Sequence, residues 1–271
     1  MKDWIFLSKN GQDPYINTFA AGCRSTPTNT EDFDYNDSTD PIVLRGILKD
    51  RIMKKCWKDA RDFYYMDTGY FGNEIKSTNP NGWKYWHRIT KNNLQLGDEI
   101  IPRPNDRWKR FNKSFKPWNK KGKNILLTIP DEKPCKFYGL DLEDWKNQTI
   151  AEIKKYTDRH VIVRERVKNR EQRTVSDPLE KVLQTGDIFA VVAFNSNSAI
   201  EAIFQGIPAF VLAPCHAARP VCHHSVEYIE SPQYADRDKL EEWARHLAYG
   251  QFHIDELKLG KAKLLLEEFY Q

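Results

Sequence analysis

The sequence predicts an α/β protein made of two Rossmann-like halves, and three observations lead there. Apolar strand candidates alternate with helix-period segments along most of the chain. The longest apolar stretch, Ile188 to Ala213, is broken by Asn195-Ser196-Asn197-Ser198, Glu201, Gln205 and Gly206-Ile207-Pro208. It therefore reads as strand, turn, helix and strand, since a membrane span needs about 20 mostly apolar residues in a row. Finally, 271 residues with 40% hydrophobic content suffice for one large core or two small ones, because domains commonly run to roughly 100–150 residues.

The N-terminal elements follow in order. Trp4–Ser8 is a strand, and the polar stretch Asn10–Asp40 is loop with one short helix near Tyr15–Ala21. Ile42–Leu44 is a buried strand that meets a turn at Arg45-Gly46. Lys49–Ala60 carries Ile52, Met53, Cys56 and Trp57 at helical spacing. Phe63-Tyr64-Tyr65-Met66 is a strand running into the loop Asp67-Thr68-Gly69-Tyr70-Phe71-Gly72.

Ile101–Asn124 interrupts the rhythm, and Pro102, Pro104 and Pro117 discourage a continuous helix there. Alternation then resumes. Asn124–Ile129 is a strand, Leu142–Thr157 a helix opened near Asp141, and His160–Arg164 a strand. Pro178–Gln184 is a helix opened by Asp177, Ile188–Ala193 a strand, Ser198–Gln205 a helix and Ala209–Leu212 a strand. Asp238–Ala248 and Ile254–Phe269 close the chain as amphipathic helices. The expected division is 1–115, 116–245 and a C-terminal helix, 246–271, packing back on the N-terminal half.

Bulk charge says little about partners, since 42 basic residues face 38 acidic ones. Five cysteines without a CxxC pair argue against a disulfide framework and for a reducing cytosol. Trp4–Leu7 is too short for the apolar core of a secretory signal. A cytoplasmic protein without a membrane partner is the expectation.

The segment Asp187–Gly206 carries the chemistry. A continuous apolar strand ends in the small polar turn Ser196-Asn197-Ser198, and a helix begins at once. In an open α/β sheet ligands bind beyond the carboxyl ends of the strands, where helix N-termini present N–H groups to anions. Ser196, Asn197 and Ser198 are small enough to let a phosphate approach, and Glu201 in the first turn suits a ribose hydroxyl. Plain helix capping, with Glu201 favoured by the helix dipole, accounts for the same residues without a ligand.

Asn195–Pro208 (NSNSAIEAIFQGIP) resembles the donor-site segment of glycosyltransferases of GT-B architecture, in particular the capsular-polysaccharide Kdo-transferase group. The resemblance extends to Val43-Leu44-Arg45-Gly46 and to Tyr65-Met66-Asp67-Thr68-Gly69-Tyr70-Phe71, although Thr68 here separates the acid from the glycine. It implies two Rossmann-like halves with a cleft between them, metal-independent and inverting transfer, and a nucleotide-sugar as co-substrate with no further cofactor. It implies Asp67 as the base that takes the acceptor's proton, while the residues alone equally allow an Asx turn at Asp67. It also implies donor contacts from Arg164, at the end of His160–Arg164, with Arg166 a weaker candidate, and from His216 in the loop after Ala209–Leu212. A solvated cluster continuing through Lys168, Arg170 and Arg173 is the other reading of Arg164.

The stretch Arg103–Lys123 holds Arg103, Arg107, Lys109, Arg110, Lys113, Lys116, Lys120, Lys121 and Lys123 against a single acid, Asp106. Trp108, Phe111, Phe115 and Trp118 lie among them, and Trp83-Lys84-Tyr85-Trp86-His87-Arg88 repeats the mixture. Cations with interleaved rings suit nucleic acid, so Arg103, Arg107, Trp108, Lys109, Arg110 and Trp118 are the expected acceptor or DNA contacts. A phage-type enzyme adding a sugar to a hydroxymethylated DNA base is then the favoured reading. A polysaccharide or lipid-linked acceptor, a non-catalytic nucleic-acid binder and a solvated linker are the rivals. Cys215-His216 and Cys222-His223-His224 match no zinc-finger spacing, and no Walker A, GxSxG or HExxH motif occurs.

Overall fold

A computed structural model describes residues 3–47, 50–73, 85–165 and 179–270. The chain divides into two compact units, one of residues 1–96 with 247–271 and one of residues 97–246. The fold is mixed α/β with parallel strands in both sheets.

The first unit begins with β1 (Ile5–Ser8) and α1 (Pro14–Gly22). Asp13 caps α1, its Oδ1 accepting from the N–H groups of Tyr15 and Ile16, while Pro14 takes the first position, where no amide hydrogen is required. Then come β2 (Thr28–Asn29), β3 (Ile42–Arg45), α2 (Asp50–Lys58), β4 (Phe63–Thr68) and β5 (Trp86–Lys91). β2, β1, β3 and β4 run parallel, and β5 adds antiparallel to β4.

The second unit contains α3 (Asp106–Lys109), β6 (Asn124–Thr128), α4 (Glu132–Tyr138), α5 (Leu142–Lys154) and β7 (Val161–Arg164). It continues with α6 (Leu179–Gln184), β8 (Ile188–Ala193), α7 (Ser198–Phe204), β9 (Ala209–Val211) and α8 (Arg237–Tyr249). Its sheet is wholly parallel in the order β7-β6-β8-β9. The chain then supplies β10 (Gln251–His253), α9 (Ile254–Lys258) and α10 (Lys261–Phe269) to the first unit, where β10 pairs with β5 and completes the order β10-β5-β4-β3-β1-β2. The single helix expected over Ile254–Phe269 is broken at Gly260, whose φ of 69° is left-handed.

Both cores follow from the alternation of side chains along strands. In the second sheet Ile125 and Leu127 join a cluster with Trp145 and Ile153 of α5, while Leu126 faces Leu183 of α6 and Ala202 of α7. β8 carries an irregularity where Asn124 pairs Ile188 but Ile125 pairs Ala190, so Phe189 and Ala190 both turn to the α5 side. With helices on both faces, all six residues of β8 are buried. In the first unit α1, α9 and α10 cover one face through Phe19, Leu257, Ala262 and Leu266, and Trp4 stacks on Tyr64 at 4.0 Å.

The segment before β6 is sewn to the end of α7. Lys116 N–H donates to the Phe204 carbonyl (3.1 Å) and Asn119 N–H to the Gly206 carbonyl (2.7 Å). Trp108 and Phe115 stack on Phe204 at 5.6 and 4.8 Å, and Trp243 of α8 lies 5.8 Å from the same ring. Such pairs contribute roughly 0.5–1.5 kcal/mol each beyond their burial. Among the described residues no helix is long and apolar enough to cross a membrane.

Two stability predictions follow from these contacts. Gly206 has φ 73°, and a Cβ there would run into the Pro117 carbonyl oxygen; Gly206→Ala should cost about 3 kcal/mol in urea unfolding. His246 is buried, its Nδ1 accepting from Ile101 N–H at 3.3 Å, and burial together with the nearby Arg103 lowers its pKa to about 4. Its unfolded value is about 6.5, so the unfolded chain binds the extra proton between the two. Stability is therefore full above pH ~6.5 and lost as pH falls towards 4, by about 3 kcal/mol. His246→Gln should remove that part of the acid loss in unfolding curves taken across the range.

Candidate functional site

The fully buried β8 delivers the chain through Phe194 into the turn Asn195-Ser196-Asn197, and α7 starts at Ser198. Two devices hold this turn. His216 is fully buried and its Nδ1 accepts from Ala218 N–H at 3.0 Å. The proton therefore sits on Nε2, which donates to the Ser196 carbonyl at 3.0 Å. Ser198 is also buried, its hydroxyl 2.8 Å from Thr128 Oγ1 at the carboxyl end of β6. Ser196 Oγ accepts from Ser198 N–H at 3.2 Å, and Asn197 occupies the cap position without a side-chain cap bond.

Ser196 and Asn197 are half-buried at this opening, whereas Ser198 and His216 act on the turn from within the protein. Every residue of α7 is buried except Glu201. Arg164 ends β7 in register with Thr128, which places it at the same carboxyl edge. The second unit thus brings together Arg164, Ser196, Asn197, Ser198, Glu201 and His216. Arg166 lies outside the described residues, as do Lys168, Arg170, Arg173, Asp177 and Pro178.

Glu201 reaches solvent, and desolvation by the surrounding protein raises its carboxyl to about 7. Lys113 and Arg164 pull it down, and Glu180 of α6 pushes it up. A carboxyl near neutrality at the open face of a helix beside two cations can exchange a proton at physiological pH or accept from a sugar hydroxyl.

In the first unit, Asp67 stands at the end of β4 with its side chain 35% exposed. Oδ2 accepts from the Tyr65 hydroxyl (2.9 Å) and from Arg88 Nη2 (3.2 Å), and Oδ1 from Thr68 N–H (2.7 Å). Tyr65 precedes Asp67 by two residues and shares its strand face. Arg88, on β5 in register with Asp67, also donates to the Thr68 carbonyl at 2.8 Å. The loop beyond is held by the fully buried Gln251 of β10, whose Oε1 accepts from Tyr70 N–H (2.7 Å) and Phe71 N–H (3.3 Å). Asp67 is thus a partly open carboxylate in a fixed orientation.

The basic and aromatic stretch departs from expectation. Arg107 and Trp108 are buried, and Trp108 is stacked on Phe204. Trp118 is half-buried and its Nε1 donates to the Ala235 carbonyl at 2.9 Å. Trp108 is thus packed inside the second unit, and Trp118 is fastened to the backbone at Ala235. Arg103 is half-buried, while Lys109 and Arg110 are exposed. Upstream, Trp86, His87 and Arg88 form a strand in which His87 and Arg88 are buried; Trp83 and Lys84 lie outside the described residues. Sequence reasoning missed Thr128, Arg88, Gln251 and the proximity of Lys113 to Glu201. Each depends on pairing between distant segments, and only Lys113 and Arg88, each one cation in a basic and aromatic run, carry any local signal.

No family model matches the chain, and no curated protein matches it in sequence. Among solved structures it is similar to Thermosulfurimonas dismutans KpsC, a beta Kdo 2,4 transferase, with a TM-score of 0.51 and 10% identity over 98% of both chains. It also matches the same organism's KpsC beta Kdo 2,7 transferase, with a TM-score of 0.49 and 10% identity over 97% of this chain and 99% of that one. At this identity the first likeness is one of fold, and the second is too distant to argue from.

The charge environment of Glu201 is directly measurable. Its folded pKa lies above the unfolded carboxyl value, so the charged form opposes folding as pH rises from about 4.5 to 7. Glu201→Gln should therefore raise the melting temperature at pH 8 relative to wild type and leave it little changed at pH 4. Carbon-13 NMR of labelled glutamate should show one carboxyl titrating near pH 7 that is missing in the variant.

Proposed function

We propose that the chain is a glycosyltransferase of the two-Rossmann type, moving a sugar from a nucleotide-sugar to an acceptor hydroxyl. The observation that carries this is the β8–α7 junction: a rigid small-residue turn at the carboxyl edge of a parallel sheet, with Arg164 and the open Glu201 beside it. The motif resemblance and the fold shared with a Kdo transferase support the same reading.

The amides at Ser196 and Asn197 would hold the donor's phosphate, with Ser198 and His216 fixing their geometry. Glu201 would take the ribose hydroxyls and Arg164 would offset the charge on the departing nucleotide. Asp67, oriented by Arg88 and Tyr65, would accept the acceptor's proton as its oxygen bonds to the anomeric carbon. The bond from that carbon to the phosphate oxygen breaks, the nucleotide leaves and the configuration inverts, with no metal required. For the acceptor we favour a saccharide or lipid-linked glycan over DNA, because Trp108 is buried against Phe204 and Trp118 is held at Ala235, which leaves few rings for bases to stack on.

A thermal-shift screen against CMP-, UDP- and GDP-sugars tests the reading. The cognate donor at 100 times its Kd should add about 2.7 kcal/mol of stability, and Asp67→Asn should keep that shift while losing 10²–10⁴-fold in nucleotide release, a range typical of general bases. Absence of a shift across the panel would sink the proposal.

A further inference from the structure

The basic segment has one member whose placement differs from the others. Its rings fasten it to α7: Trp108 and Phe115 on Phe204, then Lys116 N–H to the Phe204 carbonyl and Asn119 N–H to the Gly206 carbonyl. Between these anchors the backbone turns at Asn112, with φ 46°, and presents the half-buried Lys113. Phe204 follows Glu201 by three residues, so both lie on one side of α7. At the other end of the helix, Ser198 is tied to Thr128, the register partner of Arg164. Two cations thus approach the only exposed side chain of α7 from elements clamped to opposite ends of that helix, with Glu180 of α6 as the further acid acting on it.

We infer that Lys113 is a second cation of the donor site, which with Arg164 binds the phosphate charge of the activated sugar. This deepens the donor reading proposed above and rests on it. Lys113 and Arg164 both favour the charged form of Glu201, the electrostatic effect expected of two cations shared over one small anionic region. The arrangement is a mixed-charge cluster in which Glu201 faces the two cations, and a bound phosphate adds negative charge for them to offset. Lysine suits the role because its ammonium is a compact point charge on a mobile stem, whereas the guanidinium of Arg164 supplies a planar fork.

The test is isothermal titration of the full chain with CMP, UMP and GMP and, separately, inorganic pyrophosphate. Wild type is compared with Lys113→Met, Lys113→Arg and the remote control Lys154→Met in α5. Losing one charge-assisted contact predicts about a tenfold weaker Kd for Lys113→Met, substantial recovery in Lys113→Arg and no change in Lys154→Met. The apo melting temperature of each variant establishes that it is folded. Lys113→Met binding the nucleotide as tightly as wild type would overturn the assignment and leave the donor site standing. Pyrophosphate binding that depends on Lys113, with no nucleotide bound, would keep the cation site and overturn the nucleotide-sugar reading. Failure of wild type to bind any of the four ligands would overturn both.

Discussion

A neutral, wholly buried imidazole governs the turn on which the functional reading depends. His216 accepts from Ala218 N–H on one side and donates to the Ser196 carbonyl on the other, so both nitrogens are committed and one tautomer is specified. A buried donor or acceptor left unmade costs about 1–3 kcal/mol, which makes this pair of bonds a strong constraint on where the turn sits. Ser198 adds a second tie through Thr128. The half-buried Ser196 and Asn197 are thereby held at the carboxyl edge of the sheet, the edge at which Arg164 ends β7. In the proposed donor site, amides held in this way would need no reorientation when a phosphate arrives.

The same half of the protein treats its charges unevenly. Trp108, Phe115, Phe204 and Trp243 make an aromatic wedge that carries the basic segment against α7. Most lysines of the segment project to solvent, where a single charge has little effect. Lys113 instead acts on the carboxyl of Glu201, whose pKa is raised to about 7.

Much of the second sheet was legible because its strands are continuous apolar runs bounded by turn residues. Ile188–Ala193 reads as a buried strand for the reason that it is one: helices cover both faces. Ser198 as a helix start and Gly206 as its stop were visible too. What escaped was decided by distant partners. β5 has a basic, aromatic sequence that resembles a surface, but pairing with β4 and β10 buries His87 and Arg88. Gln251 lies 180 residues from the loop it holds, and no local pattern announces it. Charged neighbours give the rings of the Arg103–Lys123 stretch the look of a surface, whereas the fold buries Trp108 and Phe115 and leaves most of the lysines exposed. α4 begins with Pro134 in its first turn, where proline is tolerated, and it was hidden among charges.

The central claim is that the Ser196–Asn197 turn cradles the phosphate of an activated sugar. A crystal structure of the chain grown with a nucleoside diphosphate tests it most directly. The account predicts phosphate oxygens within hydrogen-bonding distance of the amides at the start of α7, with the ribose against Glu201. A nucleotide bound elsewhere, with this turn covered by protein and no ligand in front of it, would contradict the account.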